Sequence, residues 1–248
     1  MNKAFVGALL AIGLGSSLTV SAAIVVPGAA NPNLAGRASG YTCCGGGGGT
    51  DSVPAQAPVL VTGVPFSAGN RLTFSVTGQS SVGPGAPTGA NPGTPDGSSL
   101  FSMTNYGDGI SAPLSVRVDA LMGVFLGASS PTGAATPAQL DFSAGSGLAF
   151  ASLNPLVGQI FFIGDGRTTL NQGPSAGLAQ EFIVPVGATR LFLGASDGFG
   201  WFNNSGDFTV GIKNLDSGPS VIPLPAAAWL LLGGLGVLGG VARRRASA

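Results

Sequence analysis

The chain has 248 residues, no histidine, two cysteines, 8% charged residues and a formal net charge of zero. The absent histidine excludes Ser-His-Asp and Cys-His catalysis and every histidine-containing zinc site. Between residues 23 and 222 six basic residues stand against ten acidic ones, a balance of about −4 that speaks against a nucleic-acid partner.

The first 22 residues read as an export signal. Lys3 supplies a short positive region, and Ala4 to Val20 is an apolar run suited to a signal helix. Val20-Ser21-Ala22 offers the small residues that signal peptidase needs, so cleavage is expected after Ala22. Residues 23–57 are rich in Ala, Gly, Asn and Pro and read as a flexible arm. Cys43 and Cys44 are adjacent within it. Neighbouring Cα atoms lie about 3.8 Å apart across a trans peptide, below the usual disulfide range of about 4.4–6.8 Å. Three readings stay open: a strained vicinal disulfide, a link to another molecule, or thiols that react later. Export favours an oxidised form.

From residue 58 to residue 215 short apolar runs alternate with turn residues. Val59 to Val61, Leu72 to Val76, Glu181 to Val184, Arg190 to Leu193 and Phe208 to Ile212 read as strands. Leu72-Thr73-Phe74-Ser75-Val76 alternates cleanly between apolar and polar. Ile160-Phe161-Phe162-Ile163 is apolar throughout and suits a strand buried on both faces. Leu114 to Leu126 holds two short strands or one bent one, and Ser81 to Ser99 is a long loop packed with Gly, Pro, Asn and Asp. Helical periodicity is absent outside the two ends. About 160 residues of this kind predict an all-β fold, a single β-sandwich around one core.

Arg190 to Leu193 leads into Asp197, and Asn203 and Asn204 close the loop before Phe208 to Ile212 leaves it. Oxygen donors from one compact loop suit Ca²⁺, which takes six to eight oxygens at about 2.3–2.6 Å. An ordinary Asn-Asn turn with a capping Asp is the plainer reading of the same residues. Phe199 and Trp201, inside the loop, could stack on the apolar face of a sugar ring. Asp96 and Asp108 sit in glycine-rich stretches and could add oxygens, but nothing in their spacing selects them. Asp165 and Glu181 are the carboxylates that glycoside hydrolysis would need, and no spacing requires that chemistry either.

Residues 216–248 read as a sorting tail. Ile222-Pro223-Leu224-Pro225 precedes residues 226–242, 17 positions with no charge, and then Arg243, Arg244 and Arg245. A helix of that length spans roughly 25 Å, enough for a thin hydrocarbon core. Pro225 suits a first helical turn. The arginines favour staying in the cytoplasm, which puts the body on the far side.

This order of parts resembles the PEP-CTERM tail, with Leu224 where the family name puts Glu. The resemblance covers about the last 28 residues. It implies processing near the motif by an exosortase, with the helix held in the inner membrane only transiently. A second resemblance covers about residues 58–213. Asp197, Asn203, Asn204 and the Ser205-Gly206 pair are similar to the last loop of the calcium-dependent galactose-binding bacterial lectins of the PA-I type. Val82-Gly83-Pro84 resembles the lectin loop that gives a backbone carbonyl to the metal. The loop here is one residue shorter than the lectin loop and has no Thr. This resemblance implies a jelly-roll, galactose-binding-like sandwich with Ca²⁺ held by the Val82 carbonyl, Asp197, Asn203 and Asn204.

The resulting expectation is an exported, non-catalytic protein of the cell surface or extracellular matrix. It would bind polysaccharide with the help of calcium, after handling by signal peptidase and exosortase. The alternative is a purely structural matrix protein without sugar specificity.

Overall fold

A computed structural model describes residues 23–46, 48–83, 94–171 and 176–217. The signal segment with Ala22, the motif Pro223-Leu224-Pro225, the helix expected over 226–242, and Arg243, Arg244 and Arg245 lie outside the described residues. Among the described residues no helix is long and apolar enough to cross a membrane. The described residues up to Leu215 belong to one compact unit, and Asp216 lies outside it.

This unit is all-β. Its larger sheet has five strands in the order β1 (Ile24–Pro27), β13 (Ser205–Asn214), β5 (Arg71–Ser81), β11 (Glu181–Ile183) and β9 (Ser152–Leu153). The second sheet has four, in the order β10 (Ile160–Phe162), β8 (Leu121–Leu126), β12 (Arg190–Ala195) and β4 (Val59–Leu60). Two small hairpins stand apart, β2 (Thr42–Gly46) with β3 (Gly49–Ser52) and β6 (Leu100–Phe101) with β7 (Val116–Arg117). Every pairing is antiparallel except β9 with β11.

Side-chain alternation decides the layers. In β5 Leu72, Phe74 and Val76 are buried while Arg71, Ser75 and Thr77 face water. This is the period-2 pattern of a sheet with one covered face. Strands β8 and β10 are buried at every position, so that part of the four-stranded sheet is covered on both sides, while Leu60 of the edge strand β4 stays exposed. Phe182 of β11 is the hub between the sheets. Its ring lies 5.5 Å from Phe161 of β10, 5.0 Å from Phe74 and 5.7 Å from Phe150. Each such ring, taken fully out of water, contributes about 2–3 kcal/mol.

The second cover comes from the segment read as a flexible arm, and that reading is corrected here. Residues 23–46 and 48–57 are built into the fold. Strand β1 extends the larger sheet by pairing with β13, Ile24 opposite Val210. The chain then crosses the outer face of the four-stranded sheet. A Cβ on Gly194 would come within 2.5 Å of the Ala30 carbonyl oxygen, so only glycine lets the two backbones approach this closely. Asn31 Oδ1 accepts the Asn33 N–H at 2.9 Å and caps a single 3₁₀ turn, Pro32–Leu34. The buried Arg37 side chain then reaches Asp108 Oδ2 at 2.7 Å, the Asp108 carbonyl at 2.7 Å and Thr132 at 3.0 Å. Glycine-rich composition suggested mobility, but the partners that hold this segment are remote in sequence.

Candidate functional site

The loop after β12 is positioned by a defect in the β8–β12 ladder. Ser196 N–H donates to the Ala120 carbonyl at 2.9 Å, while the Ser196 carbonyl accepts from Asp119 N–H at 3.1 Å. Two residues of one strand thus face one residue of its partner, the pattern of a β-bulge. Asp119 takes the left-handed position, with φ of 68°. Ser196 Oγ accepts from Ala120 N–H at 2.8 Å, and Ser80 Oγ donates to the Asp119 carbonyl at 3.0 Å. The bulge directs the Asp119 carboxylate toward the start of the 197–204 loop.

Asp119 and Asp197 are each only 7% exposed. The Asp119 carboxylate accepts the Val82 N–H and the Ser98 side chain. Its Oδ1 is buried and has no hydrogen-bond partner among the described residues. Burial pushes Asp119 up to about 6, helped by the Asp197 charge and opposed by the Val82 N–H. Asp197 Oδ1 accepts the Gly198 N–H at 2.6 Å, and its carboxylate also accepts the Asn204 side chain. Burial raises Asp197 as well, against those two bonds. Asn204 Nδ2 donates to the Gly28 carbonyl at 3.3 Å, and Asn204 Oδ1 accepts Gly83 N–H at 3.4 Å.

Three of the expected ligand residues, Val82, Asp197 and Asn204, therefore meet at one place. The role expected of Val82 is corrected. Its own N–H and that of Gly83 both point into the cluster. The carbonyl of a trans peptide is opposed to the next N–H, so the Val82 carbonyl points away from Asn204. Asn203 ends the 3₁₀ turn Trp201–Asn203, its N–H bonded to the Gly200 carbonyl at 3.2 Å. Its side chain is half-buried and makes no hydrogen bond among the described residues.

The two aromatic residues part company. Trp201 is fully buried and its indole N–H donates to the Ala195 carbonyl at 2.8 Å. It cannot stack on a sugar, and that expectation is corrected. The cause is Asp51 of β3, itself fully buried, which accepts Trp201 N–H at 3.2 Å and Phe202 N–H at 2.9 Å. Two charge-assisted bonds turn the start of the 3₁₀ turn inward, and Asn31 Nδ2 steadies the same carboxylate at 3.0 Å. Phe199 stays 56% exposed. A Cβ on Gly46 would collide with the Phe199 ring, so the β2–β3 hairpin forms the floor beneath it. Cys43 and Cys44 form a vicinal disulfide within that hairpin, and the Cys44 carbonyl accepts Gly200 N–H at 3.1 Å. On the other side Tyr106 donates its hydroxyl to the Gly198 carbonyl at 3.1 Å.

The remaining carboxylates lie elsewhere. Asp96 and Asp165 are fully buried, and Asp96 Oδ1 accepts Asp165 N–H at 2.9 Å. Burial and the Asp96 charge push Asp165 up to about 7. Glu181 lies 3.7 Å from Arg71 in a half-exposed ion pair. Asp108 is held by Arg37, Tyr41 and Gly133. None of the four joins the 197–204 loop.

Sequence reading missed Asp119, Asp51 and Ser98. Asp119 precedes an apolar strand like any surface acid, and only the bulge turns it inward. Every oxygen donor in the cluster is a carboxylate, amide or hydroxyl, a set that fits a hard cation such as Ca²⁺. Comparison with protein-family models, with curated proteins and with solved structures returns no match.

Proposed function

We propose that the body of this protein binds carbohydrate with the help of calcium, without catalysis, on a chain exported to the cell surface or an extracellular matrix. The observation that carries this reading is the meeting of Asp119, Asp197 and Asn204 at the loop that also carries the exposed Phe199. Asp197, Asn203 and Asn204 would hold the ion. When bound, calcium would supply a fixed positive charge to which sugar hydroxyls can bind. Phe199 would cover an apolar ring face beside it. The vicinal disulfide agrees with an oxidising compartment.

The sorting half of the proposal rests on the two ends of the chain. Signal peptidase would act after Ala22, and an exosortase near Pro223-Leu224-Pro225, with the inner membrane occupied transiently. The sandwich would be of the jelly-roll, galactose-binding-like kind. A second reading, a structural matrix protein, is favoured by the hold of Asp51 on Trp201 and Phe202, which orders the loop without a metal.

A glycan array probed with the full chain in calcium and in EGTA tests the function. Calcium-dependent spots that disappear in Asp197→Ala are expected. A blank array with calcium present, or spots indifferent to EGTA, would leave the structural reading in place.

A further inference from the structure

We propose that Asp119 is itself a calcium ligand, facing Asp197 within the site; this rests on the calcium reading of the 197–204 loop. Three observations carry it. The first is backbone geometry. A left-handed conformation costs a non-glycine residue about 1–2 kcal/mol, yet the fold holds Asp119 there by its N–H to Ser196 and its carbonyl to Ser80. Bulges of this kind re-aim a side chain, and here the redirected group is a carboxylate.

The second is an oxygen without a partner. Val82 N–H and Ser98 serve the carboxylate, but Oδ1 is buried with no hydrogen bond among the described residues. Leaving a buried acceptor unserved costs about 1–3 kcal/mol, more when it is charged. The third is missing counter-charge. Asp119 and Asp197 are equally buried and close enough to repel, and neither forms an ion pair with Lys or Arg among the described residues. Two desolvated carboxylates within electrostatic reach of each other, and a buried oxygen without a partner, are what a divalent cation would satisfy in one step. Asn204, whose side chain bonds to Asp197, adds an amide oxygen to the donor set.

Calorimetric titration of the full chain with CaCl₂ tests this, together with thermal unfolding in calcium and in EGTA, on the parent, Asp119→Asn and Asp197→Ala. Asn tolerates the left-handed backbone as well as Asp does, so Asp119→Asn should keep its fold, which near-UV circular dichroism checks. The expected result has three parts. Calcium affinity falls more than about tenfold, since even groups behind the ligands are worth 10–100-fold. The calcium-induced rise in Tm disappears. The Tm in EGTA does not fall, because one of two mutually repelling charges has gone. A lowered Tm in EGTA with parental calcium affinity would mean a merely structural Asp119 and would overturn the proposal. Loss of binding in Asp197→Ala but not in Asp119→Asn overturns it too and leaves the loop reading intact. Loss in Asp119→Asn but not in Asp197→Ala removes the loop reading and overturns the proposal that rests on it. A parent that binds no calcium overturns both.

Discussion

Replacing Asp165 by Asn should stabilise the protein above neutral pH. Asp165 is fully buried, its Oδ1 accepts Arg167 N–H at 2.8 Å, and its Oδ2 has no partner among the described residues. Burial and the neighbouring Asp96 push it from 3.8 up to about 7. The folded form therefore holds this proton more tightly than the unfolded chain does. Its contribution to stability is complete below pH about 4 and is lost as pH rises through about 7. Three units at about 1.4 kcal/mol each make a loss of about 4 kcal/mol across that window. Asp119, pushed up to about 6, adds a loss of its own over the lower part of the window, so the comparison with D165N isolates Asp165. The assay is urea unfolding in EGTA at pH 4.5, 6 and 8, followed by far-UV circular dichroism. The parent should lose stability toward pH 8, and D165N should lose distinctly less and exceed the parent at pH 8. Parallel pH profiles, or a variant weaker than the parent at pH 8, would refute the reasoning.

Other outcomes follow from the same geometry. Asp51→Ala strips acceptors from Trp201 N–H, Phe202 N–H and Asn31 Nδ2, and should lower unfolding free energy by about 3 kcal/mol in a urea titration. Trp201→Ala should cost about 3–5 kcal/mol as a core truncation. Phe199→Ala should leave stability within about 0.5 kcal/mol and weaken sugar binding on a glycan array. Equal binding by Phe199→Ala and parent would remove the ring from the site. Gly194→Val should push the segment around Ala30 off the second sheet, seen as faster proteolysis within residues 23–57 at a temperature where the parent resists.

The strands that sequence revealed best are those whose partners do not matter to the pattern. Leu72, Phe74 and Val76 alternate because one face of β5 is wet, and Ile160 to Phe162 is apolar throughout because both faces of β10 are covered. Strand β1 was hidden because Ile24, Val25 and Val26 carry no local cue to their partner. The β2–β3 hairpin was hidden by its glycines, which served close approach to Phe199 and Phe202 rather than freedom. The site was half legible. Asp197 and Asn204 lie in one loop and could be paired from spacing. Asp119 reaches them through a ladder defect, and Trp201 turns inward because of Asp51, some 150 residues earlier. Neither effect leaves a trace in nearby residues.

The pairing of β1 with β13 also governs how the chain can fold. The first described strand lies beside the last, and the last lies beside β5, with ten residues in register from Ser205 opposite Ser81 to Asn214 opposite Leu72. A chain emerging amino end first cannot place Ile24–Pro27 until Ser205–Asn214 has also emerged. The larger sheet is therefore completed late, through contacts far apart in sequence, which slows folding. Until then Ile24, Val25 and Val26 form an unpaired apolar strand, the kind of segment that associates with other chains. A truncation ending before Ser205 should therefore lose the amino-terminal segment along with the missing strand, and should aggregate rather than fold as a smaller sheet.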